Sequence, residues 1–331
     1  MSLTPRAIVD SHHHLWDLRR GRYPWLQDGY DASSFILGAY AELCRDFGPA
    51  EYRAACADAP VVATVHVEAE RARDEALAET AWLHELNASY GMPDAVVAYV
   101  DLAAADAGER LAEQAAFRLL RGIRCKPRTG RSPHDDVRGL PGSMQDPRWL
   151  DGLSLLEQHG LSWDLRVPFW HLDDAAQVAR AFPRLAIVLE HAGLPWDRSA
   201  PGLAAWRHGM AALAACPNVH VKLSEFGLRD APWRFEDNAP IVRETVAFFG
   251  WRRCMFGSNF PVASLRIDYP ALVQAMSGAL AHLEPLVRQA IWHDNAAHFY
   301  RIPTPQQAGD ETWFQKSQSA PSNGFSSLCS A

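Results

Sequence analysis

Two histidines near the N-terminus have the spacing of metal ligands on a β-strand. In residues 8–14, an apolar lead-in at Ile8 and Val9 runs into His12, His13 and His14. Asp10 stands two positions before the first histidine. Because alternate side chains of a strand share a face, Asp10, His12 and His14 are predicted to point the same way. Two imidazole nitrogens on one face can bind a divalent ion at roughly 2.0–2.1 Å, with further ligands from neighbouring strands. The alternative is a strand end whose histidines are solvated or hydrogen-bonded.

A third candidate imidazole ends another apolar run. His191 lies at the end of the apolar run of residues 187–189, after Glu190, and a Gly-x-Pro turn that starts at Gly193 follows it. It could serve as a third metal ligand, as a general base or as a donor to a developing oxyanion. The alternative is a hydrogen bond to a strand-end carbonyl. Because side chains alternate along a strand, either Glu190 or His191 is expected to face the interior of the fold, not both.

The elements that must position these groups are eight short apolar runs separated by helical patterns. The runs cover residues 7–13, 61–68, 95–101, 122–126, 161–167, 186–191, 219–225 and 254–260. Strands that alternate with helices indicate a parallel sheet. Eight of them in about 300 residues predict a single (β/α)8 TIM barrel, an α/β fold.

The connections between the runs suggest one domain with an elaborate active-site face. No linker or repeat interrupts residues 1–303, which are predicted to form the barrel. Long connections follow the first and fourth runs, over residues 15–60 and 127–160, and loops at that end of barrel strands line the active site. The first contains Trp25, which could line a substrate pocket or pack an inserted subdomain. Residues 304–331 are rich in Ser, Gln, Pro and Gly and are predicted to be a disordered tail.

Polar side chains end nearly every run, where the carboxyl ends of barrel strands would bring them to one mouth. They are His12 and His14, Glu68, Asp101, Arg124 and Lys126, Asp164 and Arg166, His191, Lys222 with Ser224 and Glu225, and Ser258 with Asn259. Buried parallel strands tolerate charge poorly, so a set of this size favours an active site over separate salt bridges. Arg124, Lys126 and Arg166 could bind an acidic or polyhydroxylated substrate.

The composition argues against several classes of partner. A net charge of −7 and a pI near 6.0 argue against a nucleic-acid or anionic-membrane surface. No apolar stretch approaches the roughly 20 residues that span a bilayer, and the N-terminus lacks the features of a signal peptide. The six cysteines include no C-x-x-C pair. We expect a cytoplasmic protein whose partner is a small molecule, and an oligomer is compatible with these features.

Six motifs resemble those of the lactonase-like branch of the amidohydrolase superfamily, which includes sugar lactonases and pyrone-dicarboxylate lactonase. The matching segments are residues 9–16 (VDSHHHLW), 23–26 (YPWL), 122–124 (GIR), 190–195 (EHAGLP), 221–224 (VKLS) and 255–262 (MFGSNFPV). The resemblance extends from about residue 7 to Ile302. It implies a (β/α)8 barrel that adds water to an ester-type carbonyl.

The resemblance also implies roles for individual residues. His12 and His14 match the first-strand pair, Arg124 the fourth-strand arginine, His191 the sixth-strand histidine and Asn259 the last-strand position. Many members have Asp at the last position, where it takes the proton from the attacking water, and a carboxamide cannot do this. Asn259 is therefore a departure from the usual mechanism. Members also differ in whether they hold a metal.

Together these features predict a hydrolase that opens a small lactone carrying carboxylate or hydroxyl groups. One divalent ion, zinc or manganese, is expected on His12, His14 and either Glu68 or His191, and metal-independent action stays open. The alternatives are a metal-dependent decarboxylase or hydratase of the same superfamily and a non-catalytic sugar-acid binding protein.

Several side chains compete for the role of general base. His191 is the first candidate, followed by Glu190, Asp164 and Glu225. Asn259 would orient water or substrate by hydrogen bonds.

Overall fold

The computed structural model describes residues 3–303, which form a barrel of eight parallel strands with helices outside it. The strands are β1 (Ile8–His13), β2 (Val61–Val67), β3 (Ala95–Ala98), β4 (Leu120–Ile123), β5 (Ser162–Leu165), β6 (Ile187–Leu189), β7 (Val219–Leu223) and β8 (Cys254–Phe256). Each strand pairs in parallel with the next along the chain, which confirms the predicted (β/α)8 barrel. The predicted tail, residues 304–331, lies outside the described residues.

The barrel closes between β8 and β1, just beyond the strand ends. The backbone N–H of His14 donates to the carbonyl of Phe260 at 2.7 Å, and the N–H of Asn259 donates to the carbonyl of His12 at 2.7 Å. Because three of the predicted site residues belong to this junction, closing the barrel also brings them together.

Helices cover the outside of the barrel. They are α1 (Pro24–Gln27), α2 (Pro49–Cys56), α3 (Ala76–Tyr90), α4 (Ala107–Ala115), α5 (Pro147–His159), α6 (Leu172–Ala181), α7 (Ala200–Ala214), α8 (Phe235–Phe249), α9 (Tyr269–Ala279), α10 (Pro285–Gln289) and α11 (Asn295–Phe299). Helix α5 has clear start and stop signals, because the Asp146 carboxylate caps it by accepting the N–H of Arg148 and Gly160 ends it at φ 63°. None of the described helices combines the length and apolarity needed to cross a membrane.

Hydrophobic packing on both faces holds the strands rigidly. Branched and small side chains such as Val9, Val65 and Val97 fill the barrel interior, against which Ala296 and Tyr300 also pack. A larger apolar cluster lies between the strands and the outer helices. Polar groups at the strand ends are therefore mounted on elements that close packing keeps in place.

The long connection after β1 builds one wall of the barrel mouth. Its Trp25 and Phe35 rings stack, with centroids 5.7 Å apart and an angle of 9° between planes. The Arg229 guanidinium, from the connection after β7, donates to the carbonyls of Ala32 and Ser33 at 3.0 and 2.9 Å. The long loop is thereby tied to the connection after β7, at the C-terminal ends of the strands, which confirms that the first long connection belongs to the active-site face.

An irregularity in β1 separates Asp10 from the two histidines. The pairing register with β2 shifts between Asp10 and His13, so simple alternation does not hold there. The Asp10 carboxylate instead accepts hydrogen bonds from the Ser258 N–H at 2.8 Å, the Ser258 hydroxyl at 2.6 Å and the Tyr52 hydroxyl at 2.6 Å. The expectation that Asp10 shares a face with His12 was wrong, because a one-residue shift changes the face of the residues that follow.

We expect Asp10→Ala to destabilise the barrel without touching the mouth. The change leaves the donors of Ser258 and Tyr52 buried and unpaired, which costs about 2–3 kcal/mol in the free energy of unfolding. Urea denaturation measures this loss. The exposed Asp58, in the turn after α2, provides the control, because Asp58→Ala should leave the unfolding free energy unchanged within about 0.5 kcal/mol. An equal loss of unfolding free energy in the two variants would show that the hydrogen bonds between Asp10 and Ser258 do not stabilise the barrel.

Candidate active site

A cavity of about 490 Å³ lies at the mouth formed by the C-terminal ends of the strands. Seven of the residues predicted from sequence line it, namely His14, Trp25, Arg124, Lys126, Arg166, His191 and Asn259. The other four, His12, Glu68, Asp164 and Glu190, are buried beside or beneath them. Both long connections contribute to the lining, so the predicted site residues form one continuous centre.

His12 and His14 approach each other through their Nε2 atoms, which are 3.3 Å apart. The Nδ1 atom of His14 is 2.7 Å from the carbonyl oxygen of Val67, and since a carbonyl only accepts, Nδ1 carries the proton. Burial, followed by the Lys222 ammonium, holds the pKa of His12 well below its usual range. Burial and then Arg124 lower the pKa of His14 in the same way. Both rings are therefore neutral near pH 7, the form that binds metals.

Glu190 and His191 both reach this centre. Strand β6 ends at Leu189, and His191 adopts φ 56° within the turn Glu190–Gly193. Glu190 Oε1 lies 3.5 Å from His12 Nδ1, and Glu190 Oε2 lies 3.8 Å from His191 Nε2. The expectation that only one of the two would face inward was wrong, because alternation applies to extended strands and the left-handed residue breaks it.

His12, Glu190 and His191 form a cluster suited to a divalent ion. One donor atom from each lies within 4.8 Å of the others, and all three residues are buried. Imidazole nitrogens and carboxylate oxygens are ligands that zinc accepts. The described residues thus hold a carboxylate next to His12 and His191, contributed by the turn after β6 and not by the end of β2.

Glu68, predicted as a metal ligand, is engaged by two guanidinium groups. Its Oε1 accepts from Arg124 Nε at 2.8 Å and its Oε2 from Arg73 Nη1 at 3.1 Å. Burial raises the pKa of Glu68, but Arg124 and Arg73 outweigh it and lower that pKa to about 2. Arg124 also donates to Glu190 Oε2 at 3.3 Å. The geometry therefore favours Glu190 over Glu68 as the carboxylate that would meet a metal, while Glu68 positions Arg124.

Asn259 bridges His14 to a carboxylate. Its Oδ1 is 3.2 Å from His14 Nε2, and its Nδ2 donates to Glu225 Oε2 at 2.6 Å. Burial raises the pKa of Glu225 to about 7. Asn259 and Glu225 also share backbone angles in the left-handed region, with φ 56° and 45°. Non-glycine residues of this kind cost about 1–3 kcal/mol each and cluster at functional sites.

Asp164 lies deeper in the barrel, in an ion pair. Its Oδ2 accepts from Lys222 Nζ at 2.7 Å and from the Tyr300 hydroxyl at 2.7 Å, and all three side chains are fully buried. Lys222 Nζ is also 3.4 Å from His12 Nδ1. These contacts suit a group that holds Lys222 beneath His12, and the prediction of a catalytic Asp164 stays a prediction.

The three predicted cations of the cavity differ in their partners. Arg124 is held by Glu68 and Glu190, and Lys126 is paired with Glu70. Arg166 lines the cavity with no hydrogen bond or ion pair to any residue between 3 and 303. A half-buried guanidinium without an internal partner is suited to bind an anionic or polar group of a ligand.

Sequence reasoning left two of these features unassigned. Lys222 was noted only as a polar strand end and Glu225 also as a candidate base, but neither the contact of Lys222 with His12 nor that of Glu225 with Asn259 was predicted. The available signal was a lysine inside the apolar strand Val219–Leu223. Burying an unpaired charge costs much free energy, so such a lysine indicates buried partners. Nothing in the spacing of Glu225 and Asn259 indicates that they meet.

The fold and this centre define a class of protein, a (β/α)8 hydrolase with imidazole and carboxylate groups at the barrel mouth. The amidohydrolase family model matches residues 9–302, and the chain belongs to the amidohydrolase family.

Known relatives cover nearly the whole chain. It is 34% identical over 296 residues to an uncharacterized protein, y4mH, of Sinorhizobium fredii, covering 89% of this chain and 99% of that protein. It is 31% identical over 312 residues to an L-fucono-1,5-lactonase of Burkholderia multivorans, covering 91% and 98%. A crystal structure of an amidohydrolase from Burkholderia multivorans with bound zinc has a TM-score of 0.73 at 29% identity, covering 90% of this chain and all of that one. These similarities confirm the resemblance to the lactonase-like branch.

Proposed function

We propose that this protein opens a small polar lactone by adding water to the ester carbonyl at the barrel mouth. The observation that carries the proposal is the convergence of three buried imidazoles, His12, His14 and His191, beside the unpaired guanidinium of Arg166. Neutral imidazoles can bind a metal or take a proton from water, and a guanidinium can bind the polar substituents of the substrate. The similarity to an L-fucono-1,5-lactonase supports the same class of reaction.

The donor set of the site fits a divalent ion. His12 and His14 would hold it, with Glu190 as a further donor, because the two Nε2 atoms lie 3.3 Å apart and the buried Glu190 carboxylate lies beside His12. When bound, such an ion polarises a carbonyl or lowers the pKa of a bound water. Zinc is our first choice, since nitrogen ligands dominate the set and the similar Burkholderia amidohydrolase was crystallised with zinc.

His191 is the proposed general base. Its Nδ1 is 2.9 Å from the Ser224 hydroxyl, a contact that holds the ring and directs Nε2 toward Glu190. Burial, followed by Arg166, keeps the pKa of His191 well below its usual range, so the ring is neutral near pH 7, the form that a base must have. In the reaction, His191 takes a proton from the attacking water and returns it to the ring oxygen as the carbonyl–oxygen bond breaks, which yields a hydroxy acid.

Arg166 should select lactones that carry a carboxylate. We expect Arg166→Met to raise KM for a carboxylated lactone by roughly 10- to 100-fold, the worth of hydrogen bonds to a charged group, while KM for a neutral lactone changes little. Steady-state kinetics with both substrates measure the difference. Arg148→Met, on the outer helix α5, serves as the matched control and should change neither KM. A uniform loss on both lactones would remove Arg166 from substrate selection.

A panel of substrates tests the proposed reaction. Aldono-1,5-lactones and carboxylated lactones are followed by acid release, and hydroxybenzoates by release of carbon dioxide, each with and without added zinc. We expect enzyme-dependent ring opening of at least one lactone. Carbon dioxide release alone would favour the decarboxylase alternative, and binding of lactones without turnover would favour the sugar-acid binding protein.

A further inference from the structure

The Asn259 carboxamide is held between two acceptors in a definite orientation. An amide offers a donor, Nδ2, on one side and an acceptor, Oδ1, on the other. Nδ2 faces Glu225 Oε2 at 2.6 Å, and Oδ1 faces His14 Nε2 at 3.2 Å. When Glu225 is ionised, both of its oxygens only accept, and the contact at Oε2 therefore determines which end of the amide turns toward the histidines.

This orientation creates a concentration of lone pairs. Because Nδ1 of His14 donates to Val67, the Nε2 of the neutral ring is an acceptor. It therefore meets the Asn259 oxygen, another acceptor, at 3.2 Å, and His12 Nε2 lies 3.3 Å from the same nitrogen. Donor atoms of one tetrahedral shell with bonds of about 2.0–2.1 Å are roughly 3.3 Å apart. The two distances from His14 Nε2, to His12 Nε2 and to Asn259 Oδ1, thus match the spacing of neighbouring ligands of one cation.

We infer that Glu225 is the positioning residue that keeps the Asn259 oxygen directed at the ion held by His12 and His14. The inference rests on the proposed metal-dependent function. It gives Asn259 a part other than base, that of a neutral oxygen donor whose direction is set from outside the cluster.

Glu225 is itself well fixed. It is buried, and its Oε1 accepts the Gly227 N–H at 3.1 Å while Oε2 accepts from Asn259. Both oxygens are therefore needed as acceptors. A glutamine in its place can supply only one acceptor, its amide oxygen. The backbone N–H of Gly227 can only donate, so we expect it to pair with that oxygen. The glutamine NH2 group would then face Asn259 and turn its carboxamide around, with Nδ2 toward His14.

The test measures zinc affinity, not turnover. Zinc dissociation constants are obtained by competition with a chromogenic chelator, on protein whose folding is verified by its melting temperature. Glu225→Gln should weaken zinc binding by roughly 10- to 100-fold, the usual effect of removing a group that orients a ligand. In the double variant Glu225→Gln/Asn259→Asp, the glutamine amide introduced at position 225 can donate to one oxygen of the aspartate introduced at position 259. The other oxygen of that aspartate then faces the histidines, so the double variant should recover most of the zinc affinity. Glu244→Gln, on the outer helix α8, should have no effect.

The visible spectrum of the cobalt-substituted protein provides a second readout, because loss of one ligand changes its intensity and position. We expect the spectrum to change in Glu225→Gln and to return in the exchanged double variant. Wild-type zinc affinity in Glu225→Gln, no recovery in a folded double variant, or a wild-type protein that does not bind zinc would each overturn the inference. If the affinities follow the expected pattern but no lactone is opened, the proposed reaction fails and the role of Glu225 stands.

Discussion

Replacing His191 by alanine should lower the turnover of the lactone by roughly 10²- to 10⁴-fold, the usual contribution of a positioned acid or base. The ring lines the cavity, its Nδ1 is held by Ser224 and it is neutral, so the change removes a proton acceptor and little else. KM should change much less than kcat, because the loss falls on the transition state. Steady-state kinetics at saturating lactone measure the effect.

His159→Ala is the matched control for this experiment. His159 is the exposed last residue of α5, far from the strand ends that carry the site, and its loss should leave kcat unchanged. Near-full activity in His191→Ala would remove it as base. Glu190 and Glu225 would then be the next side chains to test, since both are buried against the same centre.

Replacing His12 by alanine should lower turnover still more, because it removes a proposed metal donor and the contact that Glu190 makes with the ring. We expect zinc to fall from roughly one equivalent to less than about a tenth, and turnover to fall by about 10³-fold or more, since metal polarisation is worth several kcal/mol. Elemental analysis of protein purified without chelator gives the metal content, and kinetics give the rate.

His13→Ala is a stringent control, because it changes the neighbouring residue of the same strand. The His13 ring packs on Tyr52 and His66, away from His12 and His14. It should therefore retain zinc and activity, at some cost in stability. Equal loss of zinc in both variants would mean that β1 as a whole, and not His12, is responsible. Full activity of a metal-free wild-type protein would indicate that His12 and His14 bind the substrate directly and do not hold a metal.

The architecture of this protein could be predicted because its signals are local and repeated. Eight apolar runs between helical patterns leave few folds available, and polar residues at the strand ends can only meet at the barrel mouth. His14, Arg124, His191 and Asn259 could be assigned to the site for the same reason.

What could not be predicted depends on single departures from regular backbone and on contacts between distant residues. The irregularity in β1 places Asp10 on a different face from the histidines. The left-handed backbone of His191 allows both Glu190 and His191 to reach the barrel mouth. Arg124 engages Glu68 and also reaches Glu190, and these contacts join the ends of three different strands. Alternation along a strand carries no information on any of these.

The carboxamide at position 259 illustrates the same limit. A carboxamide cannot accept a proton from water, so the residue type excludes the role of base. The sequence alone does not determine which other role Asn259 has. The contact with Glu225, 34 residues away, shows that the amide is oriented and gives it a role. A buried carboxylate next to a buried amide is a pair that only the folded barrel brings together.

The most direct test of the account is ring opening in ¹⁸O-labelled water. A lactone that the protein accepts is hydrolysed to completion, and the hydroxy acid is analysed by mass spectrometry with the background reaction measured in parallel. The account predicts an enzyme-dependent rate and one ¹⁸O atom in the carboxylate of the product, because water attacks the ester carbonyl. Label in the released hydroxyl group, or no acceleration over buffer for any lactone, would contradict it.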